Sequence, residues 1–486
     1  MTLSELLTFR SRDVHIVGAS SAEGFAIIDF LCGLGFTRLT AHDTTLPADM
    51  PRSFDVSHVS LPQPERGTQL ERLLHELPIT RRFGPDYLTG IDSAELIFAT
   101  QNWFAHDRNR PIRAARDRGI PVRFLVQLYV DLSPAPIAAV TGTNGKTTVS
   151  NLLHHIIDCS PIPVLMSGND RYHPQVLNRL HSLPSNGCLV LEISNRQLKE
   201  LERGPHIAII TNIEPDHIED HGSFEAYIDA KARLFELQPP DGFALINADN
   251  PSAASLATRA SSRVVRYSIR SVPAGSISAC IRDVSAGIVR NTHFTELFRV
   301  SDLKIPGPHN LANALAAASA AFLLGVAPDT IRAAVSTFPG VHNRIEHIQT
   351  VEGIDYYDDL ASTNPAATRA ALEAFAKPIV LIAGGDAKGN LDDYATLGTL
   401  CSSRLRGLIL LPGDAGEAIA GSLTEQIPIH RVTSLDEAVR VASQTARNGD
   451  AVVLSPAGAA FYTRFIVPSP GYRRLIRDLQ RKARRR

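Results

Sequence analysis

The stretch that most constrains this chain is Pro136 to Val149, PIAAVTGTNGKTTV. The apolar run from Pro136 to Val140 reads as a buried strand. A loop with two glycines follows, then Lys146-Thr147-Thr148, then the helical apolar spacing Val149, Leu152, Leu153, Ile156, Ile157. Strand, glycine loop and helix in that order make a cradle for nucleotide phosphates, because loop and helix N–H groups face the anion. Lys146 would reach the terminal phosphates of ATP, and the Thr147 hydroxyl would sit on Mg²⁺. Gly142, Thr143, Asn144, Gly145, Lys146, Thr147 and Thr148 are therefore the candidate ATP contacts. The generic pattern is matched imperfectly: aligned on Gly145 and Lys146, its first glycine falls on Val140. An ordinary glycine-containing turn is the alternative.

A chain of 486 residues is too long for one core and predicts several domains. Net charge of -1, with no aromatic-basic stripe, gives no pull toward nucleic acid. Five scattered cysteines without C-x-x-C spacing argue against a disulfide framework or zinc site and for a reducing cytoplasm. No apolar stretch is long enough to span a bilayer, and the N-terminus lacks the apolar core of a signal peptide. The basic run Arg481 to Arg486 reads as a solvated tail, with an anionic partner as the second reading.

Residues 13–18 look like a strand entering a glycine turn. Gly18-Ala19-Ser20-Ser21-Ala22-Glu23-Gly24 opens a helix, and Leu39 to Asp43 is a second strand ending in a carboxylate. This is a Rossmann-like βαβ whose G-x-G-x-x-G lacks the middle glycine. A nicotinamide cofactor, a sugar nucleotide near Asp43 and Thr44, and a ligand-free structural half all fit it. Strands at 96–99 and 121–124 extend that sheet, and Ser133 to Pro136 reads as a linker. In the middle of the chain, Glu192 ends the buried strand Cys188 to Ser194, well placed to hold Mg²⁺. Asp216 and His217 follow the strand Ile207 to Ile213 and could face the metal. Lys231 lies on a helix, Phe224 to Phe235, where a lysine is ordinarily solvated. Asn247 and Asp249 end a strand and suit a base or ribose. Asn310 and Asn313 open an Ala-rich helix, facing a nucleotide or, for Asn310, capping the helix. Beyond Phe338-Pro339-Gly340 the βα alternation restarts, with Asp358 and Asp359 at a strand end and a glycine turn at 384–389. That last unit has no phosphate loop of its own and reads as a substrate-binding partner.

Several of these stretches, in this order, carry a family resemblance: Thr141 to Thr148, Leu191-Glu192-Ile193-Ser194 with Gln197, Thr211 to His217, Tyr227 to Phe235, His309-Asn310 with Asn313, Asn343-Arg344, Asp359, Gly384 to Gly389, and Leu454 to Ala457. Together they resemble the Mur ligases, ATP-dependent amide ligases of peptidoglycan assembly. The resemblance implies an α/β chain of three domains: a Rossmann-like UDP-sugar domain (1–134), a central ATPase domain with a parallel sheet (135–340) and a C-terminal Rossmann-like domain (341–486). It implies addition of glutamate, D-glutamate in first place, to UDP-N-acetylmuramoyl-L-alanine through an acyl phosphate. Lys146, His217 and Lys231 would be the catalytic residues. Thr147, Glu192, His217 and a carbamylated Lys231 would hold two Mg²⁺ ions. Asn310, Asn313, Arg344 and Asp359 would contact ATP. Gly18, Ala19, Ser20, Asp43, Thr44, Asn169, Ser194 and Gln197 would contact the UDP-sugar, and Thr363 and Lys388 the amino acid. A cytoplasmic monomer without nucleic-acid or membrane partners is expected. The chain departs from the glutamate-adding pattern at Ala361, where a lysine is usual, at Ala460, where a serine contacting the glutamate carboxylate is usual, and at Thr100 to Trp103, where a Ser-Pro-Gly turn is usual. An L-glutamate-adding relative, a natural-product amide ligase and a non-ligating nucleotide-binding regulator are the competing readings.

Overall fold

The computed structural model describes residues 1–100, 103–104, 106–169, 173–215, 221–387, 391–466 and 471–483. Three sheets succeed one another along the chain. The first is all parallel, β1 (Val14–Val17), β2 (Leu39–Asp43), β3 (Thr80–Phe83), β4 (Leu96–Ala99) and β5 (Val122–Arg123), in the order β3-β2-β1-β4-β5. The turn of order at β1 opens a crevice at the carboxyl ends of β1 and β4.

The central sheet has nine strands: β6 (Ile137–Thr141), β7 (Val164–Gly168), β8 (Cys188–Glu192), β9 (Ile207–Ile210), β10 (Phe243–Asn247), β11 (Arg263–Ser268), β12 (Ile277–Arg282), β13 (Ser285–Arg290) and β14 (His293–Arg299). Their order is β14-β13-β12-β11-β10-β9-β6-β8-β7, antiparallel only from β12 to β14. β6 lies between β8 and β9, so the loop after it emerges between their carboxyl ends. The third sheet orders β15 (Glu346–Val351), β16 (Ile354–Asp358), β20 (Ala451–Leu454), β17 (Ile379–Ala383), β18 (Leu405–Leu410) and β19 (Ile429–Arg431), with only β15 antiparallel.

The strands at the sheet centres are near-continuous Val, Ile, Leu and Ala, buried on both faces, as parallel strands covered by helices must be. One apolar cluster runs unbroken from the first sheet onto one face of the central sheet. The opposite central face packs on the Ala-rich helix 308–323, whose small side chains allow close approach. Two further clusters cover the two faces of the third sheet. Among the described residues no helix is long and apolar enough to cross a membrane.

Candidate active site

β1 runs into α1 (Ala22–Gly33), and β6 runs through the phosphate-loop sequence into α2 (Lys146–Asp158). Glycine is required at two positions of this second loop. Gly142 has φ +148, and a Cβ there would lie 1.9 Å from Thr211 Oγ1. Gly145 has φ +86, and its Cβ would lie 2.6 Å from Asn313 Oδ1. The segment after β9 clasps one side of the loop. Thr143 N–H donates to the Asn212 carbonyl at 2.9 Å, Asn144 N–H to Asn212 Oδ1 at 2.9 Å, and Thr211 Oγ1 to the Asn144 carbonyl at 2.5 Å. Lys146 Nζ donates across the loop to the carbonyls of Gly142 (2.9 Å) and Thr143 (2.8 Å). Gly145 caps α2 with no side-chain hydrogen bond, so the positive end of the helix stays available to an anion.

Glu192 ends β8 in register with Val140 of β6, beside the loop. It is 2% exposed. Its Oε1 accepts from Asn169 Nδ2 at 3.2 Å, while its Oε2 is buried with no hydrogen-bond partner. An unpartnered buried carboxylate oxygen is costly, and a divalent cation is the group that relieves it. The Thr147 hydroxyl, buried in the first turn of α2, is the second oxygen donor at this end of the sheet. Mg²⁺ therefore fits the donor set that the chain presents.

The helical lysine is not solvated. Lys231, on α4 (Phe224–Glu236), is 1% exposed, with Nζ 4.5 Å from the centre of the Tyr227 ring one turn away. Tyr227 Oη lies 3.1 Å from Thr143 Oγ1, which ties this lysine to the phosphate loop. Tyr227, Lys231, Leu234 and Phe235 share one stripe of α4, so the helical period places Lys231 on the buried face, a signal that its residue type alone hides. His217 and Asp216, expected beside it, and Lys388 lie outside the described residues. Among the described residues no cluster of three His, Cys, Asp or Glu side chains could by itself hold a metal.

Between the first and central sheets, α3 (Asn195–Leu198) is closed by a capping box in which Gln197 Oε1 accepts from Ser194 N–H at 2.9 Å. Gln197 Nε2 donates to Glu23 Oε1 at 3.2 Å. Burial pushes the Glu23 carboxyl up to about 7, against the lowering effect of that bond. Glu23 was not singled out in the sequence; only its place in the first turn of α1 hinted at it. Asp43 is fully buried and spends its carboxylate inside the turn, accepting from Ser20 N–H at 2.7 Å and Thr45 N–H at 2.9 Å. Thr44 instead lines an open cleft of about 680 Å³ with Asp49, Gly84, Tyr87 and Arg108. Asn247 and Asp249, suited by sequence to a base or ribose, are also used internally: Asn247 Nδ2 on the Thr211 carbonyl, and the Asp249 carboxylate on Ser268 and Ile269.

Asn310 does not cap its helix, α5 (Pro308–Leu323). The cap is Gly307, and Asn310 Nδ2 donates to the Pro306 carbonyl at 2.7 Å. Its Oδ1 accepts from Asn313 Nδ2 at 3.3 Å, and Asn313 in turn abuts Gly145. From the C-terminal unit, Arg344 Nη2 donates to Thr147 Oγ1 at 2.9 Å. Asp359 backs this arginine rather than facing the loop. Its Oδ1 accepts from Ile345 N–H at 3.1 Å and its Oδ2 from Ser455 Oγ at 2.7 Å. Burial pushes the Asp359 carboxyl up to about 7, with the hydrogen bonds and the Arg344 charge working the other way. At the same edge, Ala457 N–H donates to the Ser362 carbonyl, and Asp386 and Ala459 exchange backbone hydrogen bonds at 3.0 and 2.7 Å. The segments carrying Thr363, Asp386 and Ala460 are thereby brought together, while Ala361 and Ala460 offer no polar side-chain atom.

The chain is similar to known proteins in sequence and in fold. The description "Mur ligase middle domain" matches residues 140–321, and "Mur ligase, glutamate ligase domain" matches residues 343–458. The UDP-N-acetylmuramoylalanine--D-glutamate ligase of Symbiobacterium thermophilum is 35% identical, over 82% of this chain and 86% of that one. Its counterpart from Caldanaerobacter subterraneus subsp. tengcongensis is 36% identical over 84% and 89%. In fold, the chain is similar to the UDP-N-acetylmuramate-alanine ligase of Thermotoga maritima (TM-score 0.61, 21% identity, 97% of this chain and 99% of that one). It is also similar to a pseudomurein peptide ligase type C from Methanothermus fervidus (TM-score 0.59, 18% identity, 96% and 100%).

Proposed function

The chain belongs to the Mur ligase family, and on that premise we propose that it joins D-glutamate to UDP-N-acetylmuramoyl-L-alanine at the expense of ATP. The observation that carries the reading is the junction over the phosphate loop. Lys146 lies across the loop, the unpartnered Glu192 oxygen lies beside it, and Arg344 reaches Thr147 from the C-terminal unit. Such a junction serves a reaction whose difficulty is crowding: phosphate and carboxylate oxygens must be brought together and their charge neutralised.

The alanine carboxylate of the UDP-sugar attacks the γ-phosphorus of ATP, and ADP leaves with the electron pair of the broken P–O bond. Lys146 and the α2 N-terminus hold the phosphates, and Arg344 swings from Thr147 to the transferring group. The amine of glutamate then attacks the acyl phosphate carbon, the tetrahedral adduct sheds phosphate, and the amine's surplus proton is lost. Bound Mg²⁺ would supply positive charge to the phosphate oxygens, held by Glu192 and Thr147. We assign Lys231 to a second metal position as a carbamate: its amine adds CO₂, loses a proton and becomes an anionic oxygen donor. The burial of Lys231 and its seat on the Tyr227 ring, whose hydroxyl lies 3.1 Å from Thr143 Oγ1, support that assignment. The nucleoside end of the UDP-sugar is assigned to the cleft beside Thr44, and its sugar end to Asn169, Ser194 and Gln197.

A panel of amino-acid acceptors, assayed with UDP-N-acetylmuramoyl-L-alanine, ATP and Mg²⁺, tests the reading. Phosphate release with D-glutamate is expected. Release only with L-glutamate, or with neither, would overturn it.

A further inference from the structure

The edge where the amino-acid substrate is expected carries alanine at both 361 and 460, and an arginine, Arg464, stands one turn beyond Ala460. The carboxyl ends of β16, β17 and β20 form the edge of the C-terminal sheet that carries Asp359 and, through it, Arg344, so this edge faces the phosphate loop. The incoming amine must reach the acyl carbon at the loop. Its side chain then extends along the C-terminal edge, and a glutamate side chain carries an anion there. That anion needs a fixed donor. Of the two residues expected to meet the amino acid, Thr363 offers a neutral hydroxyl and Lys388 lies outside the described residues. Ala361 and Ala460 supply no donor.

Arg464 does. It follows Ala460 by one turn, its N–H donating to the Ala460 carbonyl at 3.0 Å. Its guanidinium is clamped by Asp386, Nη1 at 2.9 Å from Oδ1 and Nη2 at 3.2 Å from Oδ2. Asp386 is itself fixed against Ala459 by the paired backbone bonds. The side chain is 43% exposed. A guanidinium has five N–H donors, and this clamp takes two of them. The arginine is thus oriented by one carboxylate and open to a second.

We propose that Arg464 binds the side-chain carboxylate of the acceptor and so makes the enzyme selective for glutamate, a role that rests on the ligase reading above. An arginine in this place also explains how the edge tolerates alanine at both 361 and 460. Asp386 is then a positioning residue, holding the fork at a fixed angle.

Steady-state kinetics of Arg464→Ala, with D-glutamate and D-glutamine as acceptors, tests the assignment. The expected result is a KM for D-glutamate raised about 30-fold, a KM for ATP within about twofold of the original, and a lost preference for glutamate over glutamine. Arg464→Lys should recover part of the glutamate affinity. Arg464→Gln gives the same reading should the alanine variant melt early. An unchanged glutamate KM, or equal losses with glutamate and glutamine, would overturn the assignment while leaving the ligase intact. A wild-type enzyme that releases no phosphate with glutamate would remove the ligase reading, and this one with it.

Discussion

The chain builds one local device twice, and the two copies differ in what they leave open. β1 runs through Gly18 into α1, and β6 runs through Gly142 into α2. In the first turn the protein satisfies itself. Gly18 and Ala19 N–H donate to the His42 carbonyl, Ser20 N–H to Asp43, and Gly24 N–H to the capping Ser21 hydroxyl. Glu23 adds a carboxyl to the same helix end. In the second turn no side chain caps the helix, a lysine lies across the loop, and one oxygen of a buried carboxylate beside it lacks a partner. A strand, a glycine turn and a helix are therefore not enough to make an anion site. What decides is whether the helix end is already capped: Thr143 and Asn144 N–H of the second turn are committed to Asn212, but no capping side chain takes the first-turn N–H groups of α2. The first turn can still meet a substrate through the Ser20 side chain and the Thr44 cleft, but the amides of Gly18, Ala19, Ser20 and Ser21 are committed.

Substitutions at the two turns should separate sharply. Lys146→Ala removes the cation that the transferring phosphoryl group needs, and kcat should fall by about 10³-fold or more. Activity near wild type would mean that the second turn is as closed as the first. Glu192→Gln keeps the shape but removes the anionic donor, and a loss of about 10²- to 10³-fold is expected, with a higher Mg²⁺ requirement. A variant saturating at the original Mg²⁺ concentration would contradict the metal assignment. Lys231→Ala should be nearly inactive and partly rescued by a small carboxylic acid, whereas full activity without rescue would remove the carbamate.

The smallest effect belongs to the first unit and concerns stability. His42 and His58 are buried, and burial holds both near 4, below the ordinary value of 6.5. A depressed folded-state value means that the unfolded chain binds the proton more readily. The stability these residues contribute is complete above about 6.5 and is lost as pH falls toward 4, on the order of 3 kcal/mol for each. Thermal melts of the whole chain between those values should show the loss, and His42→Gln should flatten it. A wild-type melting temperature that does not change between pH 6.5 and 4 would contradict this account of the first unit.

The sequence made the sheet interiors legible and the sheet edges obscure. Four strands, β3, β7, β15 and β19, carry no clear signal in the chain, and each lies at an edge of its sheet. β3 is Thr-Arg-Arg-Phe, alternately exposed, because an edge strand needs only one covered face and gains from charge that discourages further pairing. The phosphate loop and Glu192 were legible for the opposite reason: they end strands buried on both faces, so a polar residue there stands out. Lys231, expected in solvent as a helical lysine, is buried in the structure, and its catalytic and metal roles rest on the family resemblance. Glu23 gave little local signal and Arg464 none, since each is paired with a residue far along the chain, Gln197 in one case and Asp386 in the other. Asp359 stands out in the sequence as a carboxylate at a strand end, but its bond to the Ile345 N–H beside Arg344 is visible only in the structure.

The central claim is that the open turn activates a carboxylate as an acyl phosphate. It is tested most directly by labelling the alanine carboxylate of UDP-N-acetylmuramoyl-L-alanine with ¹⁸O and following the label through one turnover with ATP and D-glutamate. One labelled oxygen should appear in the released phosphate for each amide formed. Amide formation with unlabelled phosphate would contradict the acyl phosphate and the role given to the loop.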